Sequence, residues 1–468
     1  MSFFPAQLPR SLAPAVQPAS YAKAQMGAWL FAVLAAVFLA WPIWRIGFSV
    51  ELSRNEPWNA WFTDRLLAGG SPYPSADELV VNNYPPLSFY LTALAAQLTG
   101  DTILAGRLIA LFSTGLTALA AGLCIRALGG SRAAAAFGGL WLLATLSRFF
   151  TLYAGVHDPS LSALALMGLG LAYFLYLARA GRAVEPAVAL MVVAGFVKHT
   201  MPEYPLAALI WLGMTAGKRA ALRAAAFGAI LCAAGLAACV IAFGPDFATQ
   251  MLMPRVMSVK HIFFAVNRLQ WIAPAILIWG LWAWPNRKEP AARFTAILIG
   301  LSLVSGLFQA AGAGVTYNAY FGVVFASAVA AALAFEGIAS TALAKRYGTN
   351  ALQTAIVAVL ALRLLLSGQI EPYLVLASPS FRQEYREAAA AMDAEVQRFR
   401  SIPENASCWP MSIPYRAGKP FVYDNYWVAQ LIAKGKWTKE AVAEAVRVRG
   451  IRFETVNQRV LFDKKRLF

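Results

Sequence analysis

The feature that most constrains this chain is its succession of apolar segments, each close to the length that crosses a lipid bilayer. Such segments recur between residues 29 and 366, joined by short connections. A helix needs about 20 apolar residues to span the hydrocarbon core, where the backbone must satisfy its own hydrogen bonds. The chain is 13% charged, about half the fraction of a soluble globular protein. We therefore predict a polytopic α-helical membrane protein.

Basic residues in the short connections set the predicted orientation. The net charge is +17, and much of the excess lies in residues 126–132, 179–182, 218–223, 287–293 and 345–346. Loops rich in Lys and Arg stay in the cytoplasm, so this charge indicates topology and not the basic face of a nucleic-acid-binding protein. Residues 1–25 lack a signal-peptide cleavage pattern, so we interpret the first apolar segment as a retained helix with a cytoplasmic N-terminus.

This orientation predicts about eleven transmembrane helices and an outer C-terminus. The predicted spans are residues 26–48, 102–126, 133–153, 159–178, 186–199, 203–217, 224–244, 269–285, 293–311, 319–340 and 349–366. Residues 87–98 are too short to cross and are predicted to form a juxtamembrane helix on the outer, periplasmic surface, within a first outer loop of residues 49–100.

The chain divides into two predicted domains. Residues 1–366 form the transmembrane domain, and residues 367–468 have the pattern of a small soluble α/β domain on the outer side. In the second domain we predict helices at residues 381–399, 426–435 and 438–448 and strands at residues 406–413, 419–423 and 452–456.

Two acidic residues at predicted helix starts in the outer loops are candidate catalytic groups. Glu56 stands before Pro57, where an acid also favours the helix dipole. Asp158 stands before Pro159, where helix capping alone would explain it. Nearby aromatic residues such as Trp58 would shield Glu56 from water and raise its proton affinity. We predict Glu56 as a general base and Asp158 as a second carboxylate.

Several cationic and polar residues of the outer loops are candidates for substrate binding. Lys198 ends an apolar segment beside His199; it either extends to the membrane surface or meets an anion in a cavity. Arg255, Lys260 and His261 share one loop, which suits either lipid headgroups or a phosphate. The other candidates are Asn55, Asn83, Tyr84, His157, Tyr317 and Asn318.

The sequence does not indicate a cofactor. The three histidines stand in separate outer loops, without the ligand spacing of a zinc site. Phosphate-binding, dinucleotide and nucleophile-elbow motifs are absent. We predict no cofactor and no metal site, with a divalent metal left open but not indicated.

The order and position of these residues resemble the GT-C superfamily of membrane glycosyltransferases, in particular bacterial lipid A aminoarabinose transferases and protein O-mannosyltransferases. The similar elements cover most of the chain: Asn55-Glu56, Gly70-Ser71-Pro72-Tyr73, Tyr84-Pro85-Pro86-Leu87, Arg107, Asp158-Pro159 and Lys198. Two positions depart from the family. Asn55 stands where an acid is usual, and Asn83-Tyr84 stands where a basic residue precedes the surface-helix proline, so the donor and acceptor are not carried over.

The resemblance implies a GT-C-like fold and an inverting transferase. It would move a sugar from a polyprenyl-phosphate donor to a hydroxyl of a lipid, glycan or protein, on the outer face of the bacterial inner (plasma) membrane. The leaving phosphate needs no acid, so one base suffices while cations stabilise the phosphate. Glu56 would be the base and Asp158 would orient a substrate, with Lys198 and Arg255, Lys260 or His261 on the phosphate.

Three alternatives stay open at this point. They are a lipid-linked sugar flippase or transporter, a polysaccharide polymerase or ligase, and a scaffold whose tail binds a partner. A transporter is disfavoured because internal repeats are not visible in the sequence. A polymerase or ligase is disfavoured because the largest outer loop comes first in the chain.

Overall fold

The computed structural model describes residues 18–460 except residues 76, 367–368, 404 and 458–459. The remaining parts of the two predicted domains lie outside the described residues. Up to residue 366 the helices are α1 Pro18–Arg45, α2 Asn55–Leu67, α3 Leu87–Thr99, α4 Thr102–Ala127, α5 Arg132–Phe149, α6 Ser160–Arg179, α7 Glu185–Val197, α8 Glu203–Thr215, α9 Lys218–Phe243, α10 Pro245–Met251, α11 Val259–Val266, α12 Ala273–Ala283, α13 Pro290–Ala310, α14 Phe321–Gly337, α15 Ala342–Tyr347 and α16 Thr349–Leu365. Short 3-10 helices cover Asn267–Trp271, Tyr317–Tyr320 and Ile338–Ser340.

Six of the described helical segments are long and apolar enough to cross a membrane. They are Tyr21–Arg45, Thr102–Ala127, Ser160–Arg179, Lys218–Phe243, Pro290–Ala310 and Tyr317–Ser340. A seventh span results if Val259–Trp271 and Ala273–Ala283, which meet at 71°, count as one. The other predicted spans hold α5, α7, α8 and α16, which have 13 to 18 residues. The protein is a multi-pass membrane protein, and the count of eleven crossings stays a prediction.

Small residues let the central helices pack closely. Tyr317–Ser340 is the most buried of the candidate spans, with 89% of its apolar stretch inside the protein. At Gly138 of α5 an added Cβ would lie 2.8 Å from the Ala332 Cβ of α14, and at Gly139 it would lie 2.7 Å from the Ala118 carbonyl oxygen of α4. Close approach through small residues is the usual packing of membrane helices. By contrast, α9 buries only Ala224 and Cys239, which leaves its apolar surface for lipid.

The first outer loop folds into two helices, α2 and α3. The helix predicted at residues 87–98 is present as α3, and its Leu94 and Leu98 side chains are 65% and 88% exposed. Gly100, in the left-handed conformation at φ 71°, ends α3, and Asp101 caps α4 by accepting a hydrogen bond from the Leu104 amide at 2.8 Å. The exposed leucines agree with a helix on the membrane surface, and that location stays a prediction.

The C-terminal segment, residues 369–460, is mainly helical. It contains α17 Glu371–Ala377, α18 Pro379–Arg400, α19 Ser412–Arg416, α20 Asn425–Ala433 and α21 Lys439–Val448, with β1 Ala406–Ser407 and β2 Arg452–Phe453 in parallel. The predicted helices are confirmed, whereas the strands are shorter than predicted and residues 419–423 form none. The hydrophobic residues there pack on other elements instead of extending a sheet.

This segment packs directly on the first outer loop. The rings of Trp61 in α2 and Phe421 stack at 4.5 Å, and the Trp61 indole donates a hydrogen bond to the Lys419 carbonyl at 2.9 Å. Leu79 lies in one buried cluster with Val428 of α20. The C-terminal segment therefore reaches the loop that carries the predicted site.

A buried carboxyl at this contact predicts pH-dependent stability. Glu51 accepts a hydrogen bond from the Ser412 amide at 2.7 Å, and burial raises the pKa of Glu51 from 4.5 to about 7. The folded protein then holds this proton more tightly than the unfolded chain, so stability falls as the pH rises between these two pKa values. At about 1.4 kcal/mol per pKa unit, the loss is at most about 3 kcal/mol.

We expect Glu51→Gln to unfold at a higher temperature than the unmodified protein at pH 8 and at nearly the same temperature at pH 4. Thermal unfolding in detergent micelles at the two pH values measures this. An equal shift at both pH values would contradict the linkage to Glu51.

Candidate active site

Asp158 is the centre of a buried polar network. It lies just before α6, and its Oδ1 accepts a hydrogen bond from the Ser160 amide at 2.8 Å. The same oxygen forms an ion pair with Lys198 Nζ at 3.2 Å. Its Oδ2 accepts from Asn55 Nδ2 at 2.9 Å. Burial alone would raise the pKa of Asp158, but the Lys198 charge and the hydrogen bonds from Ser160 bring it below the usual range. Asp158 is therefore a carboxylate whose two oxygens are both engaged.

Lys198 joins this network from the end of α7. Its Nζ donates to Ser160 Oγ at 2.7 Å and to the Tyr84 hydroxyl at 3.1 Å, and it lies 4.3 Å from the centre of the Tyr84 ring. The side chain is 1% exposed. Of the two interpretations of Lys198 drawn from the sequence, the structure agrees with the cation in a cavity and not with a side chain extended to the surface.

Glu56 makes a second buried ion pair, with Arg107 of α4. Arg107 Nε and Nη2 donate to the two Glu56 oxygens, each at 2.7 Å. The same oxygens accept from the Leu52 amide at 3.0 Å and the His157 amide at 3.2 Å. Burial alone would raise the pKa of Glu56, but the Arg107 charge and hydrogen bonds hold it below the usual range.

The surroundings of Glu56 correct one expectation. The general base predicted at Glu56 would have to face a cavity that holds the substrate, but the Glu56 side chain is fully buried and both of its oxygens accept hydrogen bonds from protein donors. Arg107 Nη1 and Nη2 also bind the carbonyl oxygens of Phe48 at 2.6 Å and Val50 at 2.8 Å. The pair thus holds the α1–α2 connection in place, and the role of Glu56 as a base stays a prediction.

His157 lies between the two ion pairs. Its carbonyl accepts from Asn59 Nδ2 at 3.0 Å, and its ring lies so close to α4 that a Cβ at Gly106 would come within 2.0 Å of it. Burial lowers the pKa of His157 to about 4. The ring is therefore neutral at physiological pH, which disfavours a role as a phosphate-binding cation.

A polar cleft of about 160 Å³ lies next to the Asp158 network, with which it shares Asn55 and Tyr84. Five predicted site residues line it: Asn55, Asn83, Tyr84, Arg255 and Asn318. Residues that the sequence analysis did not assign to the site line it as well: Arg54, Trp58, Tyr153, Thr316, Asp424, Tyr426 and Trp427. Aromatic rings with polar edges, amides and two guanidinium groups make this a surface for a polar, partly anionic ligand.

The C-terminal segment contributes residues at the start of α20 to the cleft lining. Arg54 stacks over the Tyr426 ring at 4.7 Å, and Arg255 lies 5.6 Å from the Trp427 ring. Gly314, at φ 72°, leaves room for Tyr426, because a Cβ there would lie 2.5 Å from its ring. The sequence signal for these residues is the run Asp424-Asn425-Tyr426-Trp427, a helix cap followed by polar aromatics, which is weak by itself.

An apolar groove of about 350 Å³ lies on the other side of Lys198. It is bounded by α6, α7, α8, α9 and α10, and its lining includes Met191, Gly195, Leu236 and Phe247. Lys198 and the exposed His199 are its polar members. Lys198 therefore contacts the groove with its stem and the Tyr84 wall of the cleft with its ammonium group.

Besides Glu56, Asp158 and His157, three predicted residues lie outside the lining of both cavities. Lys260 is exposed at the start of α11. His261 makes a hydrogen bond through Nδ1 to the Ala311 carbonyl at 3.1 Å. The Arg268 guanidinium lies over the Tyr317 ring, 4.2 Å from its centre. Within the described ranges, no group of three His, Cys, Asp or Glu residues is placed to hold a metal ion. The expectation that the protein works without a metal stays a prediction.

The fold and this site define a class: a multi-pass membrane protein in which a polar cleft adjoins an apolar groove. The overall fold is similar to that of two solved structures of ArnT from Cupriavidus metallidurans, a lipid A aminoarabinose transferase of the GT-C type. The apo structure is 14% identical with a TM-score of 0.59, and the match covers 90% of each chain. The structure bound to undecaprenyl phosphate is 14% identical with a TM-score of 0.56, covering 94% of this chain and 90% of that one.

A third solved structure is less similar to this protein than the two ArnT structures are. The Archaeoglobus fulgidus oligosaccharyltransferase is 11% identical with a TM-score of 0.43, over 92% of this chain and 60% of that chain, so the fold comparison rests on ArnT. No protein-family model and no curated protein sequence matches the chain. The resemblance predicted from the sequence is confirmed at the level of the fold.

Proposed function

We propose that this protein is a membrane glycosyltransferase that moves a sugar from a polyprenyl-phosphate carrier to an acceptor hydroxyl on the outer face of the membrane. The observation that carries the proposal is the position of Lys198. This buried cation lines the apolar groove and contacts Tyr84, which lines the polar, aromatic cleft. A ligand with an apolar chain, an anionic phosphate and a sugar matches these three environments in that order.

The groove suits the chain of the carrier. Its lining is almost entirely aliphatic, aromatic or Met, and one of its walls is α9, which faces lipid. Burying apolar surface is worth about 25 cal/mol per Å², so a long polyprenyl chain would gain affinity without any specific contact. The ArnT fold, solved with undecaprenyl phosphate bound, supports a carrier of this class.

The charges near the cleft suit a departing phosphate. Lys198 and Arg255 would stabilise the negative charge that develops as the bond from the sugar to the phosphate breaks. Asp158 holds Lys198 and Asn55 in place by direct contacts, so we assign it an orienting role. We assign Glu56 with Arg107 to the support of the site, since a carboxylate that accepts four hydrogen bonds offers no lone pair to a substrate.

Incubating the purified protein with radiolabelled polyprenyl-phosphate sugars tests the proposal. We expect release of polyprenyl phosphate with transfer of the label to an envelope extract, or slow transfer to water. Movement of intact carrier across liposome membranes without cleavage of the sugar–phosphate bond would instead favour a flippase.

Filling the apolar groove should weaken the use of long-chain donors. Gly195 lies in α7 and lines the groove, and a Cβ there meets nothing within 4 Å. We expect Gly195→Leu to raise KM for a C55 carrier by about tenfold, because about 1.4 kcal/mol of chain burial would be lost, and to change KM little for a C10 carrier.

Gly280→Leu is the matched control for the groove. Gly280 is also a helical glycine with open space around its Cβ, and it is not part of the groove lining. If Gly195→Leu changed KM by the same factor for the C55 and the C10 carrier, the assignment of the groove to the polyprenyl chain would be contradicted.

A further inference from the structure

Among the described residues that line the polar cleft, one carries a carboxyl group, and it belongs to the C-terminal segment. This residue is Asp424, which precedes α20. Glu56 and Asp158, the two acids singled out by the sequence, do not line the cleft. An acceptor hydroxyl in the cleft would therefore meet Asp424.

The three buried acids differ in what holds them. Glu56 is paired with Arg107 and Asp158 with Lys198, each by a direct ion pair. Asp424 is held by uncharged donors, the amides of Tyr426 at 3.0 Å and Trp427 at 3.2 Å. A carboxylate without a close cation keeps more of its basicity.

Asp424 is connected to the proposed phosphate site by a short series of side chains. Trp58 lines the cleft near Asp424 and lowers its pKa, and the ring of Trp58 packs 4.8 Å from the ring of Tyr84. Tyr84 in turn accepts the hydrogen bond from Lys198. The Trp58 and Tyr84 side chains thus stand between the carboxylate and the cation, and we infer that the nucleophile and the leaving group occupy different sides of the sugar, as single displacement needs.

We propose that Asp424 is the general base of the transfer reaction, which rests on the proposed function. The Asp424 carboxylate takes the proton of the acceptor hydroxyl while the acceptor oxygen bonds to C1 of the sugar. The bond from C1 to the phosphate oxygen breaks, and polyprenyl phosphate leaves with that electron pair. The C-terminal segment then completes the active site as well as covering it.

The environment of Asp424 suits this task. Burial raises the pKa of Asp424 to about 6, against the lowering effect of the Trp427 amide and the Arg54 charge. The group is therefore ionised near neutral pH and still able to accept a proton, which is the range in which a general base works best. The pKa of Glu56 and that of Asp158 are shifted in the opposite direction.

Helix capping is the competing explanation for Asp424, and the two roles can be separated. Asn caps helices as well as Asp does, but it cannot take a proton. Asp424→Asn therefore keeps the bonds to the Tyr426 and Trp427 amides and removes only the basicity. Asp101→Asn is the matched control, since Asp101 is also a capping acid, of α4, and lies outside the cleft.

The experiment measures release of polyprenyl phosphate from a panel of polyprenyl-phosphate sugars by the full-length protein. The acceptor is either an envelope extract in water or sodium azide. Azide is an anionic nucleophile with no proton to lose, so it needs no base. We expect Asp424→Asn to lose about 10²–10⁴-fold of the transfer to hydroxyl groups while azide-dependent release stays near that of the unmodified protein. Asp101→Asn should match the unmodified protein in both assays.

Two results would overturn the role of Asp424 as the base and leave the proposed glycosyltransferase function standing. One is transfer to hydroxyl groups by Asp424→Asn at the unmodified rate. The other is an equal loss with azide and with hydroxyl acceptors at an unchanged unfolding temperature. If the unmodified protein releases no polyprenyl phosphate from any donor with either acceptor, the proposed function fails, and the role of Asp424 fails with it.

Discussion

Sugar transfer is expected to fall by about 10²–10³-fold when Lys198 is replaced by methionine, because one charged donor to the departing phosphate is lost. Methionine keeps most of the apolar stem that lines the groove, so binding of the carrier chain should be largely retained. We expect the loss mainly in kcat, measured as transfer from a polyprenyl-phosphate sugar at saturating donor.

The Lys198→Met substitution also leaves the buried Asp158 carboxylate without its partner. The resulting loss of stability must be separated from the loss of catalysis. Asp158 would lose its ion pair with Lys198, which typically costs about 3–5 kcal/mol. The double variant Lys198→Met/Asp158→Asn removes both charges and should recover much of the stability without recovering activity. A double variant with near-normal transfer would show that neither residue serves the reaction.

Lys260→Met provides a second comparison for Lys198. The sequence placed both lysines on the phosphate, but Lys260 is exposed and lies outside the lining of the cleft and groove. We expect nearly unchanged transfer by Lys260→Met. A loss as large as that of Lys198→Met would contradict the site drawn here.

Replacing Arg107 by methionine is expected to destabilise the protein by about 3–5 kcal/mol, because Glu56 would be left as an unpaired buried carboxylate. Arg107 also donates to the backbone carbonyls of Ile46, Phe48 and Val50, so the α1–α2 connection loses its attachment to α4. Thermal unfolding in detergent micelles measures this effect. An unfolding temperature equal to that of the unmodified protein would contradict it.

The double variant Glu56→Gln/Arg107→Met tests the predicted base role of Glu56. It removes both charges of the pair, so it should be more stable than Arg107→Met alone. If Glu56 only supports the site, the folded double variant should keep a measurable rate of transfer. Complete loss of transfer at a restored unfolding temperature would support Glu56 as the base and count against Asp424.

The helices could be predicted well from the sequence, because helix formation depends mainly on nearby residues. Apolar segments marked α1, α4, α6, α9, α13 and α14, and the short segment at residues 87–98 is α3. The strands were predicted less well, because residues 419–423 and most of 406–413 contact other elements in place of a sheet. Strand pairing depends on distant partners that a local pattern does not contain.

The candidate site was predicted in part. Asn55, Asn83, Tyr84, Arg255 and Asn318 line the cleft, because polar residues grouped in the outer loops tend to share one surface. Arg54 and Asp424 were not assigned to the site, although Arg54 adjoins a predicted residue. A capping aspartate in a tail helix is common, and its local sequence does not distinguish a cleft wall from a surface.

The sequence by itself determined that the chain is a multi-pass membrane protein and which loops hold its polar residues, because apolar length and the clustering of polar residues are local properties of the chain. Only the tertiary structure decided which charges neutralise one another. Arg107 reaches Glu56 across 51 residues and Lys198 reaches Asp158 across 40, while Asp424 remains without a cation in direct contact among its described partners. Charge pairing inside a protein depends on distances of a few ångströms between helices, and these distances exist only once the helices have packed.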